Sequence, residues 1–221
     1  MTNGIVEENL LRLKQEIAPY TPRIIAVTKY YDVRAMLEAY NAGLRDFGES
    51  RANDAIQKIE SLAEDIRNNS TFHFIGHLQT NKVAKVVKYF DCIQSVDSLK
   101  LAKAISENSL NIGKVQTVLL QVNISGEIQK FGFSEAQLKD CIEELKALKG
   151  LNITGLMCMA PLGADDNELD KVFSKAREFA GYLKEKYGLD MKELSMGMSD
   201  DYKRAVVNGA TMIRVGRLLF N

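Results

Sequence analysis

The sequence has little cysteine and no net charge, and each of these scarcities excludes a class of protein. The 221 residues include three cysteines, Cys92, Cys141 and Cys158. They are odd in number and far apart, so neither a disulfide framework nor a CxxC metal or redox motif is expected. Lysine plus arginine and aspartate plus glutamate both total 29. No broad basic surface therefore argues for binding of nucleic acid or of an anionic membrane.

Long apolar runs and linker segments are also missing. No run approaches the roughly 20 apolar residues of a membrane span. The first residues, MTNGIVEENLLRLKQEI, carry acidic side chains and lack the layout of a signal peptide. No proline- or glycine-rich stretch divides the chain. We therefore expect a soluble cytoplasmic protein in which residues 1–221 form a single domain.

Several functional motifs are absent. The sequence contains no P-loop, no GxGxxG fingerprint and no serine nucleophile elbow. His73 and His77 are four residues apart, which is a metal-ligand spacing only on a helix. Their segment is predicted to be a strand, so the two imidazoles would lie far apart and no metal site is expected.

Apolar runs alternate with helical stripes along the chain, and this alternation predicts the fold. Eight runs are predicted to be strands, at residues 23–30, 45–49, 71–77, 91–96, 115–124, 151–160, 192–198 and 211–215. Dividing the 221 residues by eight gives about 28 residues per unit, the size of a βα repeat. The runs lack polar–apolar alternation, which suits a parallel sheet covered on both faces. The pattern predicts an α/β protein with a single (β/α)₈ TIM barrel, and an open doubly wound sheet is the alternative.

The first predicted strand, RIIAVTKY at 23–30, ends at a lysine. Burial lowers the pKa of an ammonium group, and a neutral amine can form an imine with a carbonyl compound. Lys29 is therefore a candidate nucleophile. The alternative is that Lys29 only marks where the strand meets water. In a barrel, Lys29 would share the working face with the last two loops, where phosphate is often bound.

The segment SMGMSDDYKRAVVNG at 195–209 is predicted to be an anion cradle. Gly197 allows a tight turn, Ser199 is expected to be the N-cap of the following helix, and exposed backbone N–H groups favour a phosphate. The alternative is that Ser199 is only a cap and that Asp200 and Asp201 satisfy the helix dipole. Both carboxylates must point away if a phosphate binds.

The last predicted strand leads into a second glycine turn, IRVGR at 213–217. Ile213 and Arg214 face opposite ways, so one of them must point into the barrel, and a buried arginine needs an acceptor. Arg217 is either a phosphate ligand or a surface charge. Glu49, at the end of the second strand, is either an acid or base or a salt-bridge partner. A lysine for an aldehyde, a phosphate cradle and an arginine between them fit pyridoxal 5′-phosphate.

With these residues in view, nearly the whole chain resembles the pyridoxal-phosphate homeostasis proteins, single-domain relatives of the alanine racemase barrel. FHFIGHLQTNK is the most specific matching segment. The matching segments are AVTK (26–29), FHFIGHLQTNK (72–82), QVNISGEIQKFGF (121–133), GLMCMAP (155–161), LSMGMSDDY (194–202) and IRVG (213–216). The resemblance implies that Lys29 forms an imine with pyridoxal phosphate and that Ser199 and the backbone at Gly216 hold the phosphate. It also implies that Arg214 lies near the ring nitrogen and the phosphate side of the cofactor.

The sequence departs from the family pattern at two positions. It reads FGES at 47–50 where the family usually reads FGEN, so Ser50 replaces an asparagine. Arg217 stands where the family often has a small hydroxyl side chain.

The resemblance implies a cofactor carrier with no catalytic residue assigned. Racemases of this type take a second base from an added β domain, and the sequence ends at Asn221, close after the last predicted strand. Arg214 near the ring nitrogen would disfavour its protonation and weaken the electron sink. We expect a monomer or weak dimer that buffers or delivers pyridoxal phosphate, with apo enzymes that use this cofactor as candidate partners. The alternatives are a weak racemase-like enzyme, a cofactor-free imine aldolase and a module that binds another protein.

Overall fold

A closed parallel barrel dominates the computed structural model, which describes residues 4–127 and 131–221. Within these residues each strand pairs with the next, and β8 pairs with β1, where Ile24 lies opposite Ile213. The strands are β1 Arg23–Val27, β2 Asp46–Glu49, β3 Thr71–Phe74, β4 Cys92–Val96, β5 Gln116–Gln121, β6 Leu151–Met157, β7 Glu193–Ser195 and β8 Met212–Val215. The predicted TIM barrel is confirmed, and the open-sheet alternative is wrong because the first and last strands are hydrogen-bonded neighbours.

Helices connect the strands and cover the outside of the barrel. They are α1 Ile5–Glu16, α2 Val33–Asn41, α3 Ala52–Ser61, α4 Glu64–Asn68, α5 Val83–Tyr89, α6 Leu99–Asn111, α7 Glu135–Lys146, α8 Asp166–Tyr187, α9 Tyr202–Val207 and α10 Arg217–Phe220. Asn9 on α1 donates to the carbonyl oxygens of Leu219 and Asn221, each at 3.2 Å, which joins the first helix to the last. No helix in 4–127 or 131–221 has the length and apolar composition that crossing a membrane would require.

One predicted helix is in fact two. The spacing of Ile56, Ile59, Ala63 and Ile66 predicts a single helix, but α3 ends before Leu62 and α4 begins after Ala63. Leu62 has an extended backbone (φ −72°, ψ 147°) and a buried side chain. The chain therefore leaves the helix at Leu62, where it buries this side chain in the core.

Five strands end three residues earlier than their apolar runs predict. These strands are β1, β3, β5, β6 and β7. The first residue after four of them is still buried, namely Thr28, Val122, Cys158 and Met196. Burial therefore continues from the sheet into the loops at the C-terminal end of the barrel. These loops form the opening that we call the mouth. Residues 128–130 of the predicted family segment 121–133 lie outside the described residues.

The barrel interior contains both apolar and polar side chains. Ile25, Cys92, Leu119, Met157 and Met212 form a small apolar cluster that is separate from the larger core between strands and helices. The interior also holds fully or almost fully buried polar groups from four strands, namely His73, Gln94, Ser195 and Arg214. Their sequence neighbours alternate with them and face the outer core, so these polar groups face inward.

Candidate functional site

The predicted site residues lie at one end of the barrel. Lys29 is two residues beyond β1, Gly216 directly follows β8, and Ser199 is four residues beyond β7. A Cβ added to Gly216 would lie 3.0 Å from the carbonyl oxygen of Val27, so the turn after β8 is packed against the end of β1. Strand order therefore brings the lysine loop and the two glycine turns to the same mouth.

The Lys29 side chain lies on the α3 side of that mouth. Its Nζ is 5.1 Å from the ring centre of Tyr30, and no hydrogen bond or ion pair reaches it from the described residues. Lys29 lines a cavity of about 450 Å³ together with Arg51 and Lys58. The turns at 199 and 216 do not line this cavity. The structure thus brings the four residues to one end of the barrel but does not place Nζ against the turns.

A second lysine holds the loop that carries Lys29. Lys58 Nζ, on α3, donates to the carbonyl oxygens of Thr28 at 2.9 Å and Tyr31 at 3.2 Å. It also forms an ion pair with Glu49, whose Oε1 accepts a 2.6 Å hydrogen bond from Thr28 Oγ1. The Glu49 side chain is 1% exposed, so these donors compensate a buried carboxylate. This geometry favours the salt-bridge interpretation of Glu49, and it fixes the backbone on both sides of Lys29.

Ser199 is not the helix N-cap that the sequence predicts. Helix α9 begins at Tyr202, and its N-cap residue is Asp201. The Asp201 carboxylate accepts the backbone N–H of Met198, which closes a turn before the helix starts. Because residues 199–201 belong to this turn, Ser199 is left half-buried on the turn itself. The helix that the sequence predicts after Ser199 is present, but the assignment of Ser199 as its cap is wrong.

Both acidic residues of this turn are engaged in contacts. Asp200 Oδ2 accepts a 2.6 Å hydrogen bond from Arg217, on an exposed part of the surface. Burial raises the pKa of Asp201, and the Met198 N–H and the positive charge of Arg214 oppose that increase. If a phosphate binds at this turn, both carboxylates must point away from it. Their contacts with Arg217 and with the Met198 N–H are compatible with that requirement.

Arg214 points into the barrel, and its neighbour Ile213 faces the outer core. Arg214 is therefore the inward-facing residue of the pair. Its side chain donates to Ser195 Oγ at 2.7 Å and to the Cys158 carbonyl oxygen at 3.0 Å. Its backbone N–H donates to the Gly197 carbonyl oxygen at 3.0 Å, which ties β8 to the turn after β7. Desolvation lowers the pKa of this guanidinium. The predicted acceptors for a buried arginine are thus present.

Sequence reasoning missed the polar groups behind Arg214. Ser195 Oγ contacts Gln94 Oε1 at 2.6 Å, and Gln94 Nε2 contacts His73 Nδ1 at 3.0 Å. His73 Nε2 in turn lies 2.9 Å from Asp46 Oδ1. The available signal was a polar residue at an inward position of an apolar strand, namely His73 in FHF and Gln94 in CIQSV. In the sequence, His73 stands out only through its spacing from His77.

These features define a class of protein, a parallel α/β barrel with a lysine, glycine turns and an inward arginine at its C-terminal mouth. The family model described as "Alanine racemase, N-terminal domain" matches residues 4–221. The chain is 41% identical over 204 residues to the "Pyridoxal phosphate homeostasis protein" of Synechocystis sp. (strain ATCC 27184 / PCC 6803 / Kazusa), covering 91% of this chain and 92% of the relative. The chain belongs to the alanine racemase N-terminal domain family and, within it, to the pyridoxal phosphate homeostasis proteins.

Solved structures of PipY from Synechococcus elongatus PCC7942 are also similar to this chain. The structure without pyridoxal phosphate is 40% identical with a TM-score of 0.92, and the structure with it bound is 39% identical with a TM-score of 0.89. Both comparisons cover 98% of this chain and 100% of PipY.

Proposed function

We propose that this protein holds pyridoxal 5′-phosphate reversibly on Lys29 and buffers or delivers it. Its role would be vitamin B6 homeostasis, with indirect effects on amino-acid and keto-acid pools. The observation that carries the proposal is the Lys29 amine, which has no acceptor among the described residues and lies at the barrel end that also holds the glycine turns. The name of the Synechocystis relative and the pyridoxal phosphate bound to PipY support the same ligand here.

The residues at the mouth fit the chemistry of this cofactor. When bound, pyridoxal phosphate supplies an aldehyde carbon that an amine can attack. The Lys29 amine would form a C=N bond with that carbon, and the carbonyl oxygen would leave as water with the two amine hydrogens. Backbone N–H groups near Ser199 and Gly216 would bind the phosphate. Asp200 and Asp201 would not repel it strongly, because Asp200 is paired with Arg217 and Asp201 accepts the Met198 N–H.

The Lys29 side chain must turn from the α3 side of the mouth toward the two glycine turns. Its flexible stem allows this by moving between staggered rotamers, and no hydrogen bond from the described residues has to break. Lys58 and Glu49 would meanwhile keep the backbone around Lys29 in place. The loop is thus fixed while the amine is mobile, an arrangement suited to capture and release.

Arg214 would face the ring nitrogen of the bound cofactor. A guanidinium has only donors and a positive charge, so it would disfavour a protonated ring nitrogen and weaken the electron sink that carbanion chemistry needs. We therefore favour a carrier over a fast amino-acid enzyme and assign no catalytic residue.

The remaining parts of the proposal concern the setting of the protein. We propose a cytoplasmic location, supported by the absence of a disulfide among the three cysteines, all of which are described. We also propose a single domain over residues 1–221, a monomer or weak dimer, and apo enzymes that use pyridoxal phosphate as recipients.

Borohydride reduction followed by peptide mapping tests the proposal. The purified protein is mixed with pyridoxal phosphate, reduced and digested, and the labelled peptide is identified. We expect the label on Lys29, and we expect Lys29→Ala to lose both the label and the imine absorbance while its melting temperature is kept. Lys82→Ala is the matched control, because Lys82 is a half-buried lysine beside a neighbouring cavity at the mouth. A label that stays in Lys29→Ala, or that disappears in Lys82→Ala, contradicts the assignment.

A further inference from the structure

A chain of hydrogen bonds crosses the barrel interior from Arg214 to Asp46. Arg214 meets Ser195 at 2.7 Å, Ser195 meets Gln94 at 2.6 Å, and Gln94 meets His73 at 3.0 Å. His73 then meets Asp46 at 2.9 Å. The three middle residues are at most 1% exposed, so water does not offer them alternative partners. The hydrogen-bond chain therefore runs from the mouth on β8 to the start of β2.

The donor and acceptor at each link follow from the two ends. Arginine can only donate, so Ser195 Oγ accepts from Arg214 and must give its own hydrogen to Gln94 Oε1. The amide nitrogen of Gln94 then faces His73 Nδ1, which must accept. The hydrogen of a neutral His73 is left on Nε2, where it meets the Asp46 carboxylate. A second contact, from Gln94 Nε2 to Met212 Sδ at 3.6 Å, favours the same orientation of the amide.

Each other arrangement leaves a buried group unsatisfied. If His73 carried a hydrogen on Nδ1, the Gln94 amide would have to flip and donate to Ser195. The Ser195 hydroxyl hydrogen would then have no acceptor, since its described contacts are Arg214 and Gln94 alone. If the only imidazole hydrogen were on Nδ1, the Nε2 lone pair would also face the Asp46 carboxylate. Unpaired donors and facing lone pairs are costly in a buried site.

We propose that Gln94 and His73 are positioning residues for the cofactor, because they orient Ser195 and so hold the Arg214 guanidinium plane toward the ring nitrogen. This inference rests on the proposed function. The same order of donors and acceptors requires the His73 tautomer with hydrogen on Nε2. The imidazole acts through Gln94, since its own contacts are with Gln94 and Asp46. Removing Gln94 would leave Ser195 free to rotate, and Arg214 would keep only the Cys158 carbonyl oxygen as a fixed acceptor among the described residues.

The first test needs no cofactor. The chain has two histidines, His73 and His77, so nitrogen-15 NMR of the imidazoles in the full chain gives two sets of signals, and a His77→Gln variant assigns them. We expect His73 to show hydrogen on Nε2 and none on Nδ1 at neutral pH. A doubly protonated His73, or hydrogen on Nδ1 alone, overturns the inference, whether or not pyridoxal phosphate binds.

The second test compares two buried glutamines. Gln94→Met removes one link of the hydrogen-bond chain. Gln116, at the start of β5, is equally buried and donates to the carbonyl oxygens of Phe90 and Asp91, so Gln116→Met serves as the control. We expect Gln94→Met to bind pyridoxal phosphate about tenfold more weakly, because Ser195 would no longer be a fixed acceptor for the charged Arg214 guanidinium. Its absorption maximum for the bound cofactor should also shift. Gln116→Met should lose stability but keep both the affinity and the spectrum.

Borohydride mapping separates the two possible failures. If the unsubstituted protein is labelled on Lys29 and the two glutamine variants match in affinity and spectrum, this inference alone is wrong. If Lys29 is not labelled in the unsubstituted protein, the proposed function is wrong, and the NMR result still decides the polarity of the hydrogen-bond chain.

Discussion

The two sides of the mouth are built by different physical means. On the α3 side, buried charge holds the structure, because the Glu49–Lys58 ion pair fixes the carbonyl oxygens around Lys29. On the β7–β8 side, backbone shape does so, since Gly197 has φ +91° and Gly216 lies against Val27. The side that carries Lys29, the proposed reactive amine, is thus fixed by side chains, and the proposed anion site is formed by the main chain. Substitutions on the two sides should therefore fail in different ways.

The largest expected effect is on the α3 side. Glu49→Ala would leave Lys58, whose side chain is 12% exposed, without its buried counter-charge, and would leave Thr28 Oγ1 without its acceptor. Removing one partner of a buried ion pair costs about 3–5 kcal/mol of unfolding free energy. Urea unfolding measures the loss.

The control for this substitution is an exposed ion pair. Glu144→Ala breaks the Lys103–Glu144 pair, whose side chains are more than half exposed, and should cost about 0–1 kcal/mol. If the Glu49 and Glu144 variants lose similar stability, buried charge does not hold the α3 side of the mouth.

The next largest effect is on the other side. A Cβ added to Gly197, at φ +91°, would lie 2.5 Å from the Cβ of Ala205, whereas one added to Gly43, at φ +94°, would meet nothing within 4 Å. Gly43→Ala should therefore cost about 1–2 kcal/mol for the left-handed backbone alone. Gly197→Ala should cost about 1–3 kcal/mol more because of the packing clash.

Cofactor affinity sharpens this second comparison. Gly197→Ala should also weaken binding of pyridoxal phosphate, because the turn that it distorts carries the proposed phosphate ligands, and Gly43→Ala should not. Equal unfolding free energies for the two variants would show that the turn can move aside, and that its backbone shape is not specifically required.

The barrel could be predicted from the sequence because its signal is periodic. Buried parallel strands and helical stripes repeat at the length of a βα unit, and burial of both faces of a sheet leaves that pattern in any such chain. The strand ends could not be predicted, since Thr28 and Met196 are as buried in loops as they would be in a sheet. The break before α4 depends on where Leu62 is buried, which a local spacing does not encode.

The positions of the candidate site residues could be predicted from the sequence, but the directions of their side chains could not. Lys29, Ser199, Arg214 and Gly216 reach one mouth because strand order alone puts them there. The direction of the Lys29 side chain and the cap of α9 depend on local hydrogen bonds, such as that from the Met198 N–H to Asp201. The contacts of Gln94 span the barrel, and nothing near it in sequence indicates them.

A smaller effect on stability is expected from Asp201, the partly buried carboxyl of the β7–β8 side. Because burial raises the pKa of Asp201 in the folded state, the folded protein holds this proton more tightly than the unfolded chain does. Its ionised form therefore destabilises the fold at neutral pH, and the penalty fades as pH falls through the folded pKa toward the ordinary value. Asp201→Asn keeps an acceptor for the Met198 N–H. It should raise the unfolding free energy near pH 7 by less than about 1 kcal/mol, because the group is partly exposed.

Thermal unfolding at several pH values checks this sign. The gap between Asp201→Asn and the unsubstituted protein should close as the pH is lowered. A gap that widens in acid would mean that the ionised carboxylate stabilises the turn through the Met198 N–H, and that backbone shape is not the main support on this side.

The smallest effect is expected from the exposed pair on the same side. Arg217→Ala removes the donor that engages Asp200, and both side chains are largely exposed, so stability should change by less than about 0.5 kcal/mol. The freed carboxylate lies beside the proposed phosphate turn, and its repulsion should weaken cofactor binding about threefold at low salt, within the range of exposed charge interactions. Fluorescence titration at low and high salt measures both effects. Adding Asp200→Asn should restore the affinity, because it removes the negative charge without returning the arginine. If the double variant binds as weakly as Arg217→Ala, then Arg217 itself contacts the phosphate, and the β7–β8 side relies on a charged side chain as the α3 side does.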